Sequence, residues 1–140
     1  MPEESTTPDL EEALRLSLGA VDRRNFDVAM ILLAPNAVWD TSPMGVGVFE
    51  GPQAIRRFIE DWRGSYEDFE QELEEFRNLG NGVTLSVARQ RARLPGSSGL
   101  VELRWAAVGT WSGVLLEHVT AYSDIDQART AAERLAEERG

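Results

Sequence analysis

The sequence predicts a single α+β domain, and three patterns carry that prediction. Residues 10 to 66 hold apolar stripes at helical spacing, and residues 68 to 122 change to a period of two broken by glycine-rich turns. A capped helical segment then closes the chain. At 140 residues the chain is long enough for one real core and short for two. Residues 1–8 read as a flexible N-terminus and 9–140 as the domain.

Thr7-Pro8-Asp9 supplies a capping residue, a proline at a first helical position and an early acid. Leu10, Leu14, Leu18 and Val21 then make one apolar stripe. A second helix starts near Asn25 and carries Val28, Ile31 and Leu32 until Pro35-Asn36 stops it. Residues 37–40 read as a short strand, and the glycine-rich 44–48 stretch as a loop or irregular hairpin. Gly51-Pro52 opens a third helix with Ile55, Phe58, Ile59, Trp62 and Tyr66 on one face. Turns at 80–82, 95–99 and 112–113 separate four antiparallel strands, 68–79, 82–94, 99–111 and 114–122. Residues 123–126 cap a closing helix through Ile125, Ala128, Ala132 and Leu135.

Composition narrows the chemistry. The chain has no cysteine and one histidine, so thiolate sites are excluded and no metal is expected. All fourteen basic residues are arginine, which excludes lysine Schiff-base chemistry. A formal net charge of -10 opposes binding to phosphate backbones, so nucleic acid is not an expected partner. No apolar run approaches the roughly 20 residues of a membrane span, and the acidic first residues are unlike a signal peptide. The expected location is cytoplasmic, without membrane partners.

The element order resembles that of the NTF2-like superfamily, and the sequence is similar to its SnoaL-like branch, which includes polyketide cyclase and ketosteroid isomerase-like proteins. Five segments carry the resemblance: residues 20–27, 35–40, 49–55, 96–104 and 112–124. It implies a cone, with three N-terminal helices over the concave face of a strongly curved, mostly antiparallel sheet and a short C-terminal helix. An apolar pocket opens at the wide end, no cofactor is needed, and a homodimer forms through the outer sheet face.

The resemblance also implies site residues. Asp40 falls near the place of the isomerases' proton-transferring aspartate, with Ser42 as the competing match; a desolvated carboxylate there is a good general base, while a strand-end carboxylate also serves to bond backbone amides. The isomerases' two acids are missing, because their positions fall on Ser17 and near Ala106, so the steroid isomerase mechanism is not expected. The same alignment puts Arg104, Ala106 and Val108 on the pocket side of one strand and His118, Thr120 and Tyr122 on the pocket side of the last. Leu103, Trp105 and Trp111 then face outward, where a partner subunit covers them. In the catalytic reading Asp40 is the base and Arg104 or His118 the oxyanion partner; in the structural reading Arg104 only pairs an acid and His118 only lines a wall. Trp39, Phe58, Trp62 and Tyr66, with Val108, Thr120 and Tyr122, would contact a small apolar or aromatic ligand. Three functions remain open: an isomerase, cyclase or hydratase acting on an apolar carbonyl compound, a non-catalytic binder, and an interaction protein using the outer sheet face.

Overall fold

The computed structural model describes residues 9–140, so the expected flexible segment 1–8 lies outside the described residues. In chain order the elements are α1 (Leu10–Asp22), α2 (Phe26–Ala29), β1 (Leu33–Asp40), a 3₁₀ turn (Ser42–Met44), β2 (Val48–Glu50) and α3 (Pro52–Gly64). They continue with β3 (Asp68–Gly80), β4 (Val83–Arg93), β5 (Leu100–Ser112), β6 (Leu115–Tyr122) and α4 (Ile125–Arg139). One six-stranded sheet runs in the order β2-β1-β6-β5-β4-β3, antiparallel except where β1 lies parallel to β6. This is the α+β fold that the change of period predicts. No helix among the described residues is long and apolar enough to cross a membrane.

Two local expectations change at the N-terminal half. Helix α1 is capped by Asp9, whose carboxylate accepts the Glu12 N–H at 3.0 Å, and Thr7 lies outside the described residues. Helix α2 is a single turn, capped by Asn25 and finished at Ala29, and Pro35-Asn36 lie inside β1 instead of ending a helix. The strand tolerates the proline because pairing with β6 loses register between Leu33 and Val38, so the absent N–H costs no ladder bond there. The 44–48 stretch follows directly on the 3₁₀ turn, which Gly45 closes at φ +82, and feeds β2 back against β1.

Helices α1, α2 and α3 cover one face of the sheet. Their Ala20, Val21, Ala29, Ile55 and Ile59 pack with Phe69, Ala88, Trp105, Trp111 and Val119 of the strands. On the opposite face α4 lays Ala128, Ala132 and Ala136 against Val83, Leu85, Val87, Ala106 and Val108. Alanines allow the helix to approach closely, and a bidentate Arg129–Glu75 pair, at 2.5 and 2.7 Å, ties it to β3.

Those two layers reverse the expected facing of β5 and β6. Leu103, Trp105 and Trp111 point inward under the helices, whereas Arg104, Ala106 and Val108 face out, the last two beneath α4. His118, Thr120 and Tyr122 share that outer face. The physical reason is that residues 105–111 are buried without interruption, so alternation of polarity does not mark the inner side. The tryptophans expected to meet a partner subunit are core residues.

β3 is a free sheet edge, and α1 guards it. The Asp22 carboxylate accepts the Gln71 N–H at 3.0 Å, and Arg15 reaches the Leu73 carbonyl at 3.5 Å. Arg63 of α3 donates twice to the Asp22 carbonyl, at 3.1 and 3.0 Å, closing the C-terminus of α1.

Candidate functional site

The stripe on α3 and the inward residues of the sheet enclose two neighbouring cavities. The larger, about 160 Å³, lies among Trp39, Phe58, Trp62 and Tyr66 on one side and Gln90, Leu103, Trp105 and Ala121 on the other. Met44 and Val46 of the 42–48 turn complete its lining and are exposed, so they form its rim. The smaller, about 60 Å³, lies deeper, between Leu14, Ser17 and Leu18 of α1 and Gly109, Trp111 and Val119 of the sheet. Trp39, Trp62 and Trp105 border both.

Helical spacing builds the aromatic wall. Phe58 and Trp62, four residues apart on α3, stack at 6.4 Å with planes 6° apart, and Phe49 of β2 stacks on Phe58 at 4.3 Å. Trp62 meets Trp105 edge to face at 6.2 Å. The small chamber exists partly because position 109 is glycine: a Cβ there would come within 3.0 Å of Leu116 and 3.2 Å of the Thr84 hydroxyl.

Neither cavity is lined by an aspartate, glutamate, arginine or histidine. Several of the polar groups at their walls serve the fold. Ser17 donates to the Ala29 carbonyl at 3.0 Å, Trp111 to the Thr84 hydroxyl at 2.8 Å, and Thr41 to the Gly47 carbonyl at 2.6 Å. Three are left without a partner: the side-chain amide of Gln71, Oε1 of Gln90 and Nε1 of Trp105. Buried polar atoms are nearly always bonded, so three orphans around adjoining cavities mark them as unusual.

The residues expected to do chemistry gather elsewhere. Asp40 follows the inward Trp39 and turns to the outer face, where its carboxylate accepts both the Ser42 N–H at 2.9 Å and the Ser42 hydroxyl at 2.5 Å. These bonds hold its pKa below the ordinary carboxylate value, with a smaller contribution from nearby His118. Ser42 is therefore a hydrogen-bond partner of Asp40. His118 is exposed beside Thr120, whose hydroxyl is 3.5 Å from Nδ1, and burial together with Asp40 raises the Tyr122 phenol. Arg104 stands apart from this group, bonded to Glu74 at 2.8 Å, and Val108 lies under α4. Asp40, Arg104 and His118 thus do not converge on a void.

One half-buried acid does have a raised pKa. Burial pushes Asp22 up to about 6 against the opposing Gln71 hydrogen bond. It borders neither cavity and caps the β3 edge. No three acidic or histidine side chains among the described residues gather as a metal site.

The sequence reading assigns Gln71 and Gln90 no place in a site and puts Trp105 on the outer face, although a signal for Gln90 is present. Arg89, Arg91 and Arg93 alternate with Ala88, Gln90 and Ala92, which puts the small residues and the lone amide on the inner face. Continuing that alternation across the 95–99 turn would have turned Trp105 inward as well.

A family model for the SnoaL-like domain matches residues 14–113, which is most of the chain. The protein belongs to the SnoaL-like family. No curated protein matches it in sequence. Solved structures share its fold: a protein with a ketosteroid isomerase-like fold from Catenulispora acidiphila, in complex with trimethylamine, has a TM-score of 0.71 at 14% identity over 91% of this chain and 94% of the other. An LEH-like epoxide hydrolase of Mycobacterium tuberculosis has a TM-score of 0.69 at 16% identity over 91% and 92%. Another M. tuberculosis protein, in complex with estradiol-17β-hemisuccinate, has a TM-score of 0.67 at 15% identity over 81% and 92%. At such identities the likeness concerns the fold alone.

Proposed function

We propose that this SnoaL-like protein binds a small, largely apolar, flat molecule in its inner cavity without a cofactor, and does not use Asp40 as a catalytic base. The observation that carries this reading is the aromatic-walled cavity of about 160 Å³ with no ionised group at its lining. An apolar cavity of about 150 Å³ is enough for a benzene-sized guest. The Catenulispora structure in complex with trimethylamine and the Mycobacterium structure in complex with estradiol-17β-hemisuccinate support ligand binding in this fold.

The catalytic alternative needs a base and an oxyanion partner within reach of one substrate. Asp40 is held ionised by Ser42 on the outer face, and Arg104 is spent on Glu74. The third reading, an interaction protein with a filled cone, is disfavoured by the open cavity. A homodimer through the outer sheet face is still a proposal. With α4 over β4 and β5, the face left to it carries the Glu74, Arg89, Arg91, Glu102 and Arg104 ion network.

Tryptophan fluorescence titration with small aromatic compounds tests the binding reading, because Trp39, Trp62 and Trp105 border the site. Saturable quenching is expected in the wild type and in Asp40→Asn. Ala121→Leu, which fills the larger cavity, is expected to abolish it while leaving the fold intact. Equal binding by Ala121→Leu would place the ligand elsewhere, and loss of turnover in Asp40→Asn on any carbonyl substrate would restore the catalytic reading.

A further inference from the structure

The orphaned polar atoms at the cavities have a geometry of their own. Gln71 and Gln90 stand directly opposite across β3 and β4, and Trp105 lies diagonal to Gln90, two positions beyond its partner Leu103 on β5. Diagonal positions on one sheet face lie about 7–8 Å apart, within reach of long side chains. Gln90 is 1% exposed and Trp105 8% exposed, so water does not satisfy them from outside. One orphan is an acceptor, Gln90 Oε1, and the other a donor, the Trp105 indole N–H. Both residues line the larger cavity beside the Phe58–Trp62 stack.

A hydroxyl group has the chemistry that both atoms lack, a donor for the amide oxygen and an acceptor for the indole N–H. A ligand carboxylate or phosphate does not fit, since no arginine or histidine lines either cavity and the anion would lose its hydration without a cation to replace it. We propose, building on the binding reading above, that Gln90 determines specificity, with Trp105 selecting an uncharged ring compound that carries a hydroxyl group. Gln71, on the wall of the smaller chamber, meets a second polar substituent where the ligand extends past the three tryptophans. A site built to bond a hydroxyl discriminates strongly against the analogue lacking it, because the protein atoms are then left unpaired.

The test uses benzene, phenol and benzoate as probes of the full chain, by tryptophan fluorescence or calorimetry, with Gln90→Leu alongside. Phenol is expected to bind at least about tenfold more tightly than benzene, the equivalent of one net hydrogen bond, and benzoate not to bind. In Gln90→Leu the preference for phenol over benzene is expected to fall several-fold, with the indole N–H left as the one partner of the hydroxyl, while benzene binds as before and the unfolding midpoint stays level or rises, because an unpaired buried acceptor has been removed. Equal affinity for phenol and benzene in the wild type would overturn the assignment while leaving cavity binding intact. So would an equal loss of both probes in Gln90→Leu together with marked destabilisation, which would make the amide an internal structural partner. Gln90→Met, of similar volume, gives the same comparison if the leucine variant does not fold. If neither benzene nor phenol binds, the cavity reading itself fails and this assignment with it.

Discussion

At the scale of single residues, Asp22 and Asp40 show how environment divides identical side chains. Asp40 is held below the ordinary range by two bonds from Ser42, and Asp22 is pushed up to about 6 by burial. A carboxyl whose folded pKa lies above its unfolded value of 3.8 favours the native state most at low pH, and that contribution is lost as pH rises through about 6. Asp22→Asn can still accept the Gln71 N–H, so it is expected to flatten the stability profile between pH 4 and 6. At pH 7 it is expected to gain about 1 kcal/mol, a shift of about two pH units being discounted for a half-solvated group. Urea denaturation of both proteins across that range measures it, and a steeper profile in the variant would refute the role given to burial. Asp40→Asn keeps an acceptor for Ser42 and is expected to change ligand affinity less than about twofold, within the variation of surface substitutions.

At the scale of elements, α4 is the piece whose attachment decides what the outer sheet face can do. Its Ala128 and Ala132 are fully buried against Val83, Leu85 and Val87, whereas the Arg129–Glu75 pair is about one-third exposed. Packing should therefore outweigh the ion pair. Ala132→Leu is expected to cost about 1–3 kcal/mol by overpacking, and Arg129→Ala about 1 kcal/mol or less. Chemical denaturation separates them, and the reverse order would mean that the pair, not the alanine face, holds the helix. At α3, Gly51 takes φ +89 and ψ 151, a region open essentially to glycine alone, with open space around its missing Cβ, so Gly51→Ala is expected to cost about 1–3 kcal/mol from backbone conformation alone.

At the scale of the whole molecule, the cavity and the stability are linked. A ligand that binds only the folded chain stabilises it by mass action, so phenol at a hundred times its Kd is expected to add about 2.7 kcal/mol, read as a raised thermal midpoint. An unchanged midpoint under saturating ligand would contradict binding inside the core. Much of this architecture was legible beforehand. The helical stripe of Phe58 and Trp62, the four long strands and their turns follow from spacing, because those patterns depend on local geometry, whereas Tyr66 lies past the end of α3 instead of on its face. Pro35 misled the reading of β1, because the irregular pairing that accommodates it involves β6, some eighty residues later.

The amino-acid sequence by itself determined the long helices and the four long strands, the aromatic wall on α3, and the absence of thiol and lysine chemistry. Only the tertiary structure decided which face of β5 and β6 is inside. Residues 105–111 are buried on both faces, under α1 to α3 on one and α4 on the other, and a strand covered twice carries no polar stripe to tell the faces apart. That choice took Arg104 and His118 away from the cavity and brought Trp105 to it, beside Gln90 of β4.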